Sequence, residues 1–212
     1  MTTVLLTGFE PFGGDASNPS GVAVRRVAER WAGPEVLVTD VLPVTFAGAA
    51  ERLRGLIAQH APDVVIAAGL AGNRMSISVE RIAINLVDAR IPDNDGAQPV
   101  DQPSVAGAPP ARFATLPVKA IVRDLLSAAI PAEVSHSAGT FVCNHVFFAA
   151  LDEASAHPGM RAGFVHVPWD ADHAPVTAPY LELDDIVRAL EVTIRTSLTE
   201  EHDIAAVGGA VS

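Results

Sequence analysis

EVSHSAGTFVCNHVFFAALDEASAHPGMRAGFVHVPW, residues 133–169, decides the fold. Glu133 to Ser137 predicts a strand. Small residues then turn the chain. From Cys143 to His157, Val146, Phe147, Ala150 and Leu151 mark a helix. Ala162 to Val167 is a short apolar run, which predicts a buried strand.

The same alternation fills the rest of the chain. Val4 to Gly8 predicts a first strand. Asn18, Pro19 and Ser20 then open a helix to about Ala32, with Pro19 suited to its first turn. Val36 to Val41 predicts a second strand. Thr45 can cap a helix carrying Phe46, Ala50, Leu53 and Ile57 on one face. VVIAAG, residues 64–69, is a third buried strand. Pro117 to Ile130 reads as a helix through Ile121, Leu125 and Ala129, and Leu183 to Leu198 as another through Ile186, Val187, Leu190 and Ile194. Alternating elements of this kind imply a mostly parallel sheet covered by helices on both faces.

One segment breaks the pattern. Met75 to Val87 has period two, but Ile77 and Val79 are apolar at odd positions, whereas Ile82, Ile84 and Leu86 are apolar at even ones. The phase changes at Glu80 and Arg81. A bulge there, or two short strands with a bend, both fit. This segment suggests a mixed sheet. Ala89 to Arg112 is a long loop rich in Pro, Gly and Asp, and such loops are functional or mobile. Neither a repeat nor a linker is visible. The expectation is one catalytic domain over residues 1–200, with a frayed tail at 201–212.

Composition narrows the function. With 212 residues, 49% hydrophobic and 18% charged, the chain buries one core. No apolar run reaches the roughly 20 residues that span a bilayer. The opening MTTVLLTGFEPFGG lacks a basic region and a cleavage pattern, so export is not expected. A net charge of −11 without a Lys/Arg cluster argues against nucleic acid as partner. The single cysteine rules out a disulfide framework and a Cys-rich zinc site within the chain. Composition alone favours an inert, buried thiol.

Placement offers the alternative. Cys143 stands at a predicted helix start, where free N–H groups and the dipole favour a thiolate and can hold an oxyanion. His166 lies at the C-terminal end of a buried strand, where ligands bind in parallel sheets. Glu80 sits in the apolar ISVERIAINL and needs a partner. That partner is Arg81, Arg74 or Arg90 in an ion pair, or His166 in a working pair. Taken singly, His166 and Glu80 read as structural. TGFEPFGG matches no phosphate-loop pattern, and Pro11 removes a donor that such a loop would use; Phe9 and Phe12 suggest an apolar pocket wall instead. WDADH supplies Asp170, Asp172 and His173, but in no zinc spacing.

Four blocks together resemble the pyroglutamyl-peptidase I family of cysteine peptidases: TGFEPFGG with Asn18-Pro19-Ser20, GLAGNR with SVERIAINLVDARIPDNDG, GTFVCNHVFF, and GFVHVPW. Their order and spacing make the resemblance specific and override the structural reading of the single residues. It implies a three-layer α/β/α sandwich, with a mostly parallel, mixed central sheet. It also implies a triad of Cys143, His166 and Glu80 acting on peptides with N-terminal pyroglutamate. Phe9, Phe12, Asn18, Ile91, Phe141 and Val142 match its substrate pocket, and Arg90 matches an arginine near the reacting carbonyl. Leu70 stands where many members have glutamine. The resemblance further implies no cofactor, no metal, a cytoplasmic location and a homo-oligomer, dimer or tetramer. Two other readings fit an α/β chain of this kind: a nucleoside phosphorylase or hydrolase, and a binding protein that has lost catalysis.

Overall fold

The computed structural model describes residues 1–209. The chain opens with β1 (Thr3–Phe9), α1 (Pro19–Arg30), β2 (Val36–Leu42), α2 (Phe46–His60) and β3 (Val64–Leu70). Next come β4 (Ile77–Glu80), β5 (Ile82–Ile84), β6 (Ala111–Phe113), α3 (Val118–Ser127) and β7 (Ala132–Ser135). It closes with α4 (Val142–Ala156), β8 (Arg161–Val167), β9 (Trp169–Asp170), β10 (Tyr180–Leu181) and α5 (Leu183–Thr199).

Six strands form the central sheet in the order β2-β1-β3-β8-β4-β7. β2, β1, β3 and β8 run parallel, while β4 opposes β8 and β7 follows β4. The sheet is therefore mixed, as the sequence suggests. β3 is buried at every position, as expected of a strand with both faces covered. One face packs on α2 and α4, with Leu53, Ile57, Phe147 and Phe148 in its core. The other packs on α1, α3 and α5 through Val24, Ile121, Leu190 and Ile194. The result is the three-layer α/β/α sandwich.

Helix starts follow local chemistry. Asn18 Oδ1 accepts from Ser20 N at 3.1 Å, with Pro19 in the first turn. Thr45 Oγ1 accepts from Gly48 N at 3.2 Å. α3 borrows its cap: Pro117 has no side-chain acceptor, and Asp203 Oδ1 accepts from Lys119 N and Ala120 N at 2.9 and 3.0 Å. Asp203 thus ties the start of the 201–212 tail to α3; residues 210–212 of that expectation lie outside the described residues.

Several boundaries differ from the sequence reading. α3 stops at Ser127 rather than Ile130. Ala129 adopts the left-handed region (φ 59°), and Ile130 N donates to Leu125 O at 3.0 Å, closing the helix before Pro131. The phase change at Arg81 is a break between two short strands, not a bulge. Arg81 N donates to Ser135 O of the main sheet at 2.8 Å, and its carbonyl accepts from Ala114 N at 2.9 Å beside a separate β5–β6 ribbon. Ala111 and Arg112 belong to β6, not to the long loop.

That loop is anchored. Asp93 Oδ2 accepts from Phe46 N at 2.9 Å, and its Oδ1 accepts from Asp95 N and Ala97 N. Asn94 Nδ2 donates to Pro11 O at 3.0 Å, joining the loop to the segment that bears Phe12.

Candidate active site

β8 ends beside the cleft and presents His166, only 4% exposed. β4 runs the other way, with Ser78 opposite His166 and Glu80 opposite Phe164. Ser78, Glu80 and His166 therefore share one face of the sheet. Glu80 is fully buried. Its Oε1 lies 2.7 Å from His166 Nδ1 and 2.7 Å from Arg74 Nη1. The sequence left open whether Glu80 meets an arginine or the histidine; one oxygen meets both.

Cys143 is the second residue of α4. The helix begins after Phe141, which offers no side-chain cap, so its first N–H groups stay free of side-chain acceptors. The sulfur lies over Gly69, the register partner of His166. A Cβ added at Gly69 would stand 2.8 Å from Sγ and 2.9 Å from the Phe164 ring. Glycine is required here so that the thiol can come down onto the sheet. Asn144 fixes the helix start from below: its amide donates to Ile84 O and Leu86 O at 2.9 and 3.1 Å and accepts from Ile84 N at 3.1 Å.

Charge states follow from these contacts. Burial pushes the Glu80 carboxyl up, but the bond and charge of His166 and the charge of Arg74 outweigh it, leaving it below its ordinary value. Burial lowers His166; Glu80 raises it, Arg74 opposes, and the net shift is downward. Although Cys143 keeps some surface in the cleft, burial of its thiol, reinforced by the Glu80 charge, pushes it up to about 12, against smaller pulls from Arg74 and the backbone. The helix start therefore does not yield a resting thiolate: desolvation outweighs the dipole. At neutral pH the site holds a carboxylate, a neutral imidazole and a thiol. Nδ1–H donates to Glu80, so Nε2 is the basic nitrogen.

Next to the sulfur is a slot lined by Phe9, Phe12, Asn18, Val44, Leu70, Phe141, Val142 and Cys143. It encloses about 20 Å³, room for one water-sized body. Phe12 and Phe141 face each other with centroids 6.2 Å apart, and Phe46 backs Phe141 edge-on at 5.2 Å. Asn18 spends its side chain on the α1 cap and on Glu10 O, 2.9 Å away, so it shapes the wall. Arg90 and Ile91 are exposed and stand outside the lining. Arg90 forms no ion pair among the described residues. A roomier hollow of about 490 Å³ lies between α3, β7 and residues 204–207, but it holds no nucleophile–base pair.

The sequence reading missed Val44, Asn144 and Asp93. A polar amide next to the lone cysteine, on a helix face that must be buried, was the available signal for Asn144. WDADH forms a turn: Asp170 Oδ1 accepts from Asp172 N, His173 N and His173 Nδ1. Among the described residues, no group of three or more His, Cys, Asp or Glu could hold a metal ion, and no helix is long and apolar enough to cross a membrane.

Comparison with known proteins gives the family. The sequence model of the family described as pyroglutamyl peptidase matches residues 2–200. A pyrrolidone-carboxylate peptidase of Clavibacter michiganensis is 48% identical over 212 residues, covering 100% of both chains. The crystal structure of pyroglutamyl peptidase I from Bacillus amyloliquefaciens superposes with a TM-score of 0.94 at 45% identity, covering 97% of this chain and 99% of that one. The pyrrolidone carboxyl peptidase from Thermococcus litoralis gives 0.89 at 40% identity, covering 93% and 94%. Matched from its first strand through its last helix, this chain belongs to the pyroglutamyl peptidase family.

Proposed function

We propose that this chain hydrolyses the peptide bond following an N-terminal pyroglutamyl residue, with Cys143 as nucleophile, His166 as base and then acid, and Glu80 orienting His166. The observation that carries the reading is the 2.7 Å contact between His166 Nδ1 and Glu80 Oε1, one strand away from the sulfur over Gly69.

With thiol and imidazole both neutral, Nε2 takes the sulfur's proton as Sγ attacks the carbonyl carbon. The negative charge left on His166's surroundings by Glu80 stabilises the imidazolium that forms. Free N–H groups at the start of α4 receive the tetrahedral oxyanion; Arg90, exposed and outside the slot lining, is assigned to the same oxygen by the family resemblance alone. The intermediate collapses as His166 returns its proton to the leaving amine. A thioester on Cys143 remains. Water, deprotonated by His166, attacks it and releases pyroglutamate and the thiol.

A lactam is flat, compact and uncharged, which suits phenylalanine walls. A free α-ammonium would enter this slot unpaired, at high desolvation cost. The enclosed space is smaller than such a ring, so this reading requires Phe12 and Phe141 to part when the ring binds. By the same resemblance, the enzyme works in the cytoplasm as a dimer or tetramer, on peptides that begin with pyroglutamate.

The test compares a pyroglutamyl-anilide with a prolyl-anilide. The lactam conjugate should release its dye and the prolyl conjugate should not. Equal release from both, or release from neither, contradicts the reading.

A further inference from the structure

Beyond β3 the chain turns back through Arg74, whose N–H donates to Ala71 O at 3.0 Å. The guanidinium then bonds in two directions. Nη1 donates to Glu80 Oε1 at 2.7 Å, and Nη2 donates to the Ser137 carbonyl at 2.9 Å. Ser137 belongs to the stretch between β7 and α4 that delivers Phe141 and Cys143. One side chain therefore touches both the carboxylate that holds His166 and the segment that leads to the nucleophile. Glu80 Oε2 has no partner among the described residues, so both bonds converge on Oε1.

We propose that Arg74 is a positioning residue for the hydrolysis: its two arms lock Glu80 in the orientation that His166 needs and hold the 136–141 stretch, and hence Cys143, against the sheet. The proposal rests on the roles given above to Cys143, His166 and Glu80. Planar geometry makes it specific to arginine. A lysine ammonium carries the charge but cannot extend two rigid donors to two separate elements.

The charge has its own consequence. The groups facing His166 are Glu80 from β4, Arg74 from the β3–β4 turn and Cys143 from α4; Glu133 of β7 is one strand further, bonded to Ser78 at 3.0 Å. Arg74 opposes protonation of His166 and favours ionisation of Cys143. Without it, Glu80 draws a proton onto the imidazole more readily. The acid limb of kcat/KM then moves to higher pH in Arg74→Met. Alkylation of Cys143 by iodoacetamide also slows at neutral pH. Arg74→Lys keeps the limb in place, but loses the Ser137 arm and about tenfold in kcat with little change in KM. A part that only supported the fold would lower Tm alike in both variants and leave the limb unmoved.

The experiment measures pyroglutamyl-anilide hydrolysis by the unaltered chain, Arg74→Lys and Arg74→Met from mildly acidic to mildly alkaline pH, with alkylation of the sole cysteine in parallel. The shifted limb in Arg74→Met and the kcat loss in Arg74→Lys are expected. If the unaltered chain does not turn over, the functional reading falls and this one with it. If it does, an unmoved limb in Arg74→Met together with full kcat in Arg74→Lys overturns the role of Arg74 alone. Should Arg74→Met fail to fold, Arg74→Lys decides: a tenfold loss in a folded chain supports the role, and unaltered kcat overturns it.

Discussion

Glu80 and His166 are separated by 86 residues in sequence and by 2.7 Å in space, and the carboxylate is fully buried where they meet. An antiparallel register between β4 and β8 makes the contact possible, because it sets Glu80 two residues from the direct partner of His166 on the same face. Glu80→Gln keeps the shape and removes the charge. It leaves the imidazolium unsupported and Arg74 without its anion. We expect kcat to fall by about 10²- to 10⁴-fold, measured on a pyroglutamyl-anilide. A loss below threefold would separate Glu80 from catalysis.

Gly69 gives a steric prediction. A methyl group there would lie 2.8 Å from Cys143 Sγ and 2.9 Å from Phe164. The sulfur must move, whereas the neighbouring strand pairing need not. Gly69→Ala should lower kcat by about 10²-fold while circular dichroism stays unchanged. Unaltered kcat would mean that the thiol does not depend on this close approach.

His145 gives a pH dependence of stability. Burial, with a contribution from the Arg54 charge, lowers it from 6.5 to about 4, only partly offset by a bond to the Phe46 backbone, and its Nδ1 lies 2.7 Å from Ser104 Oγ. The unfolded chain binds this proton near pH 6.5 and the folded chain only near pH 4. Between those values the unfolded state holds more protons, so this stabilisation is complete above the window and is lost as pH falls through it. The loss is about 3 kcal/mol. His145→Asn retains an acceptor for Ser104 and does not titrate. Urea unfolding of that variant should show a flatter pH dependence between pH 4 and 6.5 than the unaltered chain.

Asp93 anchors the long loop to the start of α2 through one bond, from Phe46 N, and braces the loop's own turn through two more, from Asp95 N and Ala97 N. Asp93→Ala removes a helix cap and a turn brace together. We expect a loss of about 2 kcal/mol and a Tm lower by roughly 4–8 °C, read by differential scanning calorimetry.

Much of this was legible in the sequence because the signals are local. VVIAAG announces a strand buried on both faces, and Asn18 and Thr45 announce helix starts through their own side chains. The family, the α/β/α layers and the activity class were readable from four motif blocks, and the comparisons agree with them. What failed was non-local. The phase change at Arg81 was visible, but only pairing with Ala111–Phe113 reveals that β5 leaves the main sheet. β6, β9 and β10 are too short to produce a period. A helix start suggested a thiolate at Cys143; the apolar walls that reverse that expectation come largely from Phe9, Phe12 and Leu70, distant in sequence. Arg74 and His166 looked like rival partners of Glu80, because nothing local indicates that one oxygen accepts from both.

The most direct measurement is the rate of dye release from a pyroglutamyl-anilide by the unaltered chain beside Cys143→Ala. Release by the unaltered chain, and none above the uncatalysed background with the thiol removed, is the outcome this account predicts. Undiminished release by Cys143→Ala would contradict it.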